Sequence, residues 1–146
     1  MRQSVNKGRY YDIVPTAKAR LLRHLVYPVP EHASGGLGVH VTIDIAGLVH
    51  LGPDTEWLDE GAPLDFRADD LRHEDFFRAA SRYLPFLERE DLAPGQVGYR
   101  PKLQAPGGEI ADFLIWHERG YVHLGGIESP GLTASLAIGR HVASLL

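Results

Sequence analysis

Apolar and polar positions alternate most regularly between residues 37 and 45. Leu37, Val39, Val41, Ile43 and Ile45 fall on one face; Gly38, His40, Thr42 and Asp44 fall on the other. Successive side chains of a strand point to opposite sides, so this period of two predicts a strand with one face in a core. Ala46-Gly47 supplies a turn and Leu48 to Pro53 runs back, which predicts a β-hairpin. A second hairpin is expected from Asp112–His117 and Tyr121–Leu124 around Glu118-Arg119-Gly120. Gly8 to Pro15, rich in aromatic and β-branched residues, predicts another strand. Gln96 to Leu103 is expected to be extended, because Arg100 precedes a proline. Leu25 to Pro30 carries two prolines, which place it at a sheet edge or strand end. Met1–Lys7, Glu31–Gly36 and Asp54–Asp65 lack periodicity and are expected to be loops.

The period lengthens between residues 68 and 82. Leu71, Phe76, Ala79, Ala80 and Tyr83 fall near one face of a helix, with Asp69 or Asp70 as the expected cap. Pro85 interrupts it, and Phe86 to Leu92 reads as a short second helical piece. At the C-terminus, Gly125-Gly126 form a turn, Ser129 is placed to cap a helix and Pro130 to sit in its first turn. From Leu132 onward the segment is apolar on nearly every side, which predicts a buried helix. Strands, then helices, then strands and a final helix predict an α+β fold. A mixed, largely antiparallel sheet is expected, with helices on one face and a buried C-terminal helix.

At 146 residues the chain is expected to form a single domain. A net charge of -4 argues against nucleic acid or an anionic membrane as partner. The absence of cysteine excludes disulfides, thiolate metal sites and cysteine nucleophiles. No apolar run approaches the length of a membrane-spanning helix. The N-terminal M-R-Q-S-V-N-K-G has no apolar core, so a cytoplasmic location is expected rather than secretion. No G-x-G-x-x-G follows a strand.

The eight histidines form neither H-x-H nor H-E-x-x-H, so a metal site is not expected. Ser129 and Ser135 lack the G-x-S-x-G elbow of a serine hydrolase. His40 shares a strand face with Thr42 and Asp44. There it serves either as a base or carboxylate ligand in a pocket, or as a half-exposed strand histidine. Arg100, held before Pro101, suits a bidentate carboxylate clamp or a surface ion pair. The first turn of the last helix offers free N–H groups to an electron-rich ligand, or is the plain start of a core helix.

Three runs carry a family resemblance: Gly98-Tyr99-Arg100-Pro101-Lys102, Asp112-Phe113-Leu114-Ile115, and Gly125-Gly126-Ile127-Glu128-Ser129-Pro130-Gly131-Leu132-Thr133-Ala134-Ser135. Together they resemble the C-terminal part of FAD-dependent oxidoreductases of the D-amino-acid-oxidase type. Tyr27-Pro28-Val29-Pro30, Leu37 to Thr42 and Leu51-Gly52-Pro53 resemble the L-2-hydroxyglutarate dehydrogenase branch. The resemblance covers residues 8 to 146. It implies oxidation of a small 2-hydroxy acid or amino acid by hydride transfer to flavin. It places the substrate carboxylate on Arg100, and Gly126, Ile127, Gly131, Leu132 and Thr133 against the flavin ring. His40, by its period-two placement on the polar strand face, is the candidate catalytic base, expected in the same pocket as Arg100. Members of this family open with a glycine fingerprint that holds the ADP half of FAD, and these 146 residues contain none. The chain is therefore expected to be the substrate- and flavin-facing portion, inactive alone, with a separate N-terminal FAD-binding chain or segment as partner. The competing expectation is a non-catalytic fragment that binds a small carboxylate or a partner chain.

Overall fold

The computed structural model describes residues 3–29, 38–109 and 111–146. Its elements are β1 (Ser4–Ile13), α1 (Thr16–Ala19), β2 (His40–Ile43), β3 (Val49–Gly52), β4 (Glu56–Trp57), α2 (His73–Ala80), β5 (Leu92–Lys102), β6 (Leu114–Glu118), β7 (Tyr121–Gly125) and α3 (Gly131–Leu145). Strands follow the order β2-β3-β1-β4, with β5 also paired to β1, and β6-β7 form a separate two-stranded sheet. This is the expected α+β class with antiparallel pairing. Two compact units emerge: residues 7–56 with 61–99, and residues 57–60 with 100–146 and the start of β1.

The larger unit holds the core. β2 and β3 pair antiparallel with Val41 opposite Leu51 and Thr42 opposite His50; β1 joins with Tyr11 opposite Leu51 and Asp12 opposite His50. That register stacks Val41, Leu51 and Tyr11 in one row, and all three are fully buried. Helix α2 lays Phe76 and Ala80 into the same core, with the Phe76 and Tyr11 rings 4.6 Å apart. Burying a side chain such as Phe76 stabilises the fold by about 1.5–3 kcal/mol. The opposite strand face carries Asp12, His40, Thr42 and His50. The period-two pattern thus set the two faces correctly over residues 39–43. Ile45 departs from it and is exposed, because the chain turns at Asp44, whose carboxylate accepts the Ala46 and Leu48 amides at 2.8 and 2.9 Å.

Several expectations are corrected. The N-terminal stretch expected to be a loop is strand from Ser4, and Asn6, Lys7 and Arg9 are buried in it. Arg9 is held by Asp54, Glu56 and Asp69, which neutralise it. Helix α2 begins only at His73, after Arg72 and with no side-chain cap. Asp69 instead accepts the Leu71 amide in a turn, which delays the helix. The strand expected at Leu25–Pro30 reduces to one bridge, Val26 to Val41, since prolines withhold donors. Of that expectation, Pro30 lies outside the described residues, as do Leu37 and the expected loop 31–36. The helical piece expected at 86–92 is a single 3-10 turn, Arg89–Asp91.

The smaller unit contains the β6-β7 hairpin and α3. The hairpin turns at Arg119-Gly120, both at positive φ, as a tight two-residue connection requires. Helix α3 forms as expected but is not buried. Ala134, Ile138, Val142 and Leu145 are half-buried along one stripe, whereas Leu132 and Leu136 are 91% and 80% exposed. A helix apolar on all sides is buried only where neighbours cover all sides. Ser129 makes no cap bond, and Pro130 stands at the cap position instead.

Candidate functional site

In the larger unit, β2 places His40 on the polar face of the sheet. The side chain is buried rather than half-exposed, at 7% accessibility. Its ring stacks on Tyr27 at 4.3 Å between centroids and 16° between planes. Nδ1 lies 3.2 Å from the Gly38 carbonyl. A proton on Nδ1 donated to that carbonyl makes Nε2 the basic nitrogen.

Across the hairpin, His50 occupies the same face, opposite Thr42. Its Nδ1 is 2.7 Å from Asp12 Oδ1 and its Nε2 is 3.5 Å from Asp44 Oδ2. Burial pulls the imidazole pKa down, but the hydrogen bond and charge of Asp12, then those of Asp44, outweigh it and raise the pKa above its ordinary value. The Leu48 amide, and after it the Ala46 amide and His50, hold Asp44 below the usual carboxylate range against the opposing effect of burial. Sequence reasoning missed the Asp12-His50-Asp44 group. The hairpin register would have revealed it, by setting His50 opposite Thr42.

In the smaller unit, Arg100 is half-buried near the end of β5. Among the described residues its guanidinium has no hydrogen-bond or ion-pair partner. Lys102 follows two residues on, and its Nζ is 2.7 Å from Glu128 Oε1. Next to it, Leu103 Cγ stands 2.5 Å from where a Cβ on Gly126 would be, and Gly126 has φ +63°. Ile127 Cγ2 stands 2.6 Å from the corresponding point on Gly131. Both glycines are therefore required by close packing, and Gly126 also by its left-handed backbone.

At the start of α3, the Gly131 amide donates to the Glu128 carbonyl and the Ala134 amide to the Pro130 carbonyl. The Leu132 and Thr133 amides make no such bond among the described residues, and both residues are exposed. These two N–H donors, unpaired among the described residues, stand at the positive end of the helix, where an electron-rich group is favoured. Gly126 and Ile127 shape the turn that leads there. Arg100 and this turn belong to the smaller unit, His40 to the larger. A cavity of about 850 Å³ in the larger unit is lined by Pro28, Pro53, Phe76, Arg82 and Tyr83 among others, and none of the expected site residues lines it.

Comparison with known proteins identifies the family. The chain is 48% identical over 150 residues to the mitochondrial L-2-hydroxyglutarate dehydrogenase of Arabidopsis thaliana, covering 94% of this chain and 30% of that protein. It is 28% identical over 143 residues to a glycerol 3-phosphate dehydrogenase of Caloramator mitchellensis, covering 96% and 28%. The dithionite-reduced L-alpha-glycerophosphate oxidase of Mycoplasma pneumoniae, solved with FAD bound, superposes with a TM-score of 0.74 at 25% identity, over 99% of this chain and 36% of that one. The chain thus spans about a third of the length of these relatives. A family described as FAD dependent oxidoreductase matches residues 3–145, and the chain belongs to that family.

Proposed function

We propose that this chain is the substrate- and flavin-facing part of an enzyme that oxidises a small 2-hydroxy acid, of the L-2-hydroxyglutarate type, to the 2-oxo acid. Bound FAD supplies the hydride acceptor. Arg100 grips the substrate carboxylate with two parallel N–H···O bonds. His40, on the polar face of β2, is the candidate base for the hydroxyl proton released as the substrate carbon gives up its hydride. The amides of Leu132 and Thr133 would hold the electron-rich edge of the flavin, and Gly126, Ile127 and Gly131 would let the main chain approach it. The ADP half of FAD is assigned to a separate N-terminal chain or segment, since no glycine fingerprint follows a strand here.

The observation that carries this reading is the half-buried guanidinium of Arg100, unpaired among the described residues. A charge removed in part from water and left without a counter-ion is costly unless a ligand supplies one. The test is the kinetics of Arg100→Ala and Arg100→Lys in the FAD-loaded enzyme with L-2-hydroxyglutarate. Alanine is expected to raise KM by about a hundredfold, and lysine, which keeps the charge but loses the fork, by about tenfold. A wild-type KM in both variants would remove Arg100 from substrate binding.

A further inference from the structure

We propose that Lys102 and Glu128 are positioning residues: their ion pair locks the turn that opens α3 to the end of β5, and so sets the spacing between the Arg100 guanidinium and the first-turn amides of α3. This rests on the reading of Arg100 as the carboxylate clamp.

Side chains two apart on a strand share a face. Arg100 and Lys102 therefore point the same way, both half-buried, with exposed Pro101 between them on the other side. The Lys102 and Glu128 side chains are 12% and 19% exposed, so solvent and salt screen their 2.7 Å contact weakly. Beside it, Leu103 fills the space that a Cβ on Gly126 would occupy. The strand end and the turn are thus joined twice. The apolar contact holds them together without direction, whereas the charged hydrogen bond has a preferred length and angle and fixes their register.

Glu128 also transmits that register. Its amide donates to the Gly126 carbonyl at 2.9 Å, and its carbonyl accepts the Gly131 amide at the first residue of α3. Shifting the Glu128 carboxylate therefore shifts the residue on which the helix start is hung. The pair has a second consequence. Glu128 cancels the charge of Lys102, which leaves Arg100, among the described residues, as the uncompensated cation on that strand face. A substrate carboxylate is thereby directed to Arg100 and not to its neighbour.

The test combines kinetics of the FAD-loaded enzyme with amide hydrogen exchange in the 146-residue chain. Lys102→Met and Glu128→Gln are expected to raise KM for L-2-hydroxyglutarate about tenfold with kcat changed less, and to speed exchange at Glu128 to Ala134. Lys102→Arg, which keeps the charge and the reach, is expected to restore both. Faster exchange with a wild-type KM would reduce the pair to a structural contact and overturn the proposal. Unchanged exchange would overturn it as well. Should Lys102→Met fail to fold, Glu128→Asp keeps the charge with a shorter reach and is expected to give a smaller rise in KM; a wild-type KM there overturns the spacing claim. Arg100→Ala reports separately on the clamp, so a failure of that reading is visible in its own variant.

Discussion

At the scale of single residues, the chemistry of His50 is set by its neighbours. It is held between Asp12 on β1 and Asp44 in the β2–β3 turn, and its pKa is raised. The sign of the pH dependence follows. Protonated His50 is favoured in the folded state, so its contribution is complete below the unfolded value near 6.5 and is lost as pH rises through the raised folded value. Thermal denaturation of the wild type and of His50→Gln at pH 5.5 and 8.5 checks this. The wild type is expected to lose more Tm across the interval, since the variant has no charge there to lose. Equal losses would show that the two aspartates do not stabilise the imidazolium. His40, in contrast, was legible from the strand alternation alone. Its burial was not, because the stacking of Tyr27 depends on a chain segment that forms no regular strand.

At the scale of elements, local pattern foretold the hairpins well and the helix boundaries poorly. β2–β3 and β6–β7 are each set by alternation plus a turn of few residues, information contained within about a dozen positions. Helix α2 starts five residues later than the pattern predicts because Asp69 can serve a cap or a turn equally well, and its bond to the Leu71 amide selects the turn. The glycine turn before α3 was legible as a turn, but its packing partners were not, because Leu103 comes from 23 positions earlier in the chain. Its two glycines are expected to respond differently to substitution. Gly131→Ala meets Ile127 Cγ2, so the loss of stability, about 1–3 kcal/mol, is expected to be largely relieved by Ile127→Ala in the same chain. Gly126→Ala meets Leu103 and also retains φ +63°, so Leu103→Ala is expected to relieve only part of its cost. Denaturant unfolding of the four single and two double variants separates the cases; equal rescue in both pairs would refute the assignment of backbone strain to Gly126. Thr133→Ala, which leaves the amide in place, is expected to be mild.

At the scale of the whole molecule, the apolar composition of α3 and the burial it receives disagree. Leu132 and Leu136 stand almost fully exposed, although the helix is apolar on nearly every side. Exposed leucines side by side on a helix mark a surface that another element covers. The proposed cover is the FAD-binding part, because the unpaired amides of Leu132 and Thr133 open at the same end of the helix. Two outcomes follow for the 146-residue chain and the loaded enzyme. On the proposed reading the chain alone would contact flavin through one turn, and no G-x-G-x-x-G follows a strand in these residues, so it is expected to purify colourless. A stoichiometric flavin spectrum in that preparation would contradict the assignment of the ADP half to another segment. Leu136→Glu then tests the cover itself. In the chain alone the substitution falls on an exposed surface, and stability is expected to change by no more than about 0.5 kcal/mol. In the FAD-loaded enzyme the same carboxylate would be buried without a partner, so a fall in Tm and faster loss of FAD on dilution are expected. An unchanged Tm and unchanged FAD retention in the enzyme would show that the leucine stripe faces water there too, and that the cover lies elsewhere.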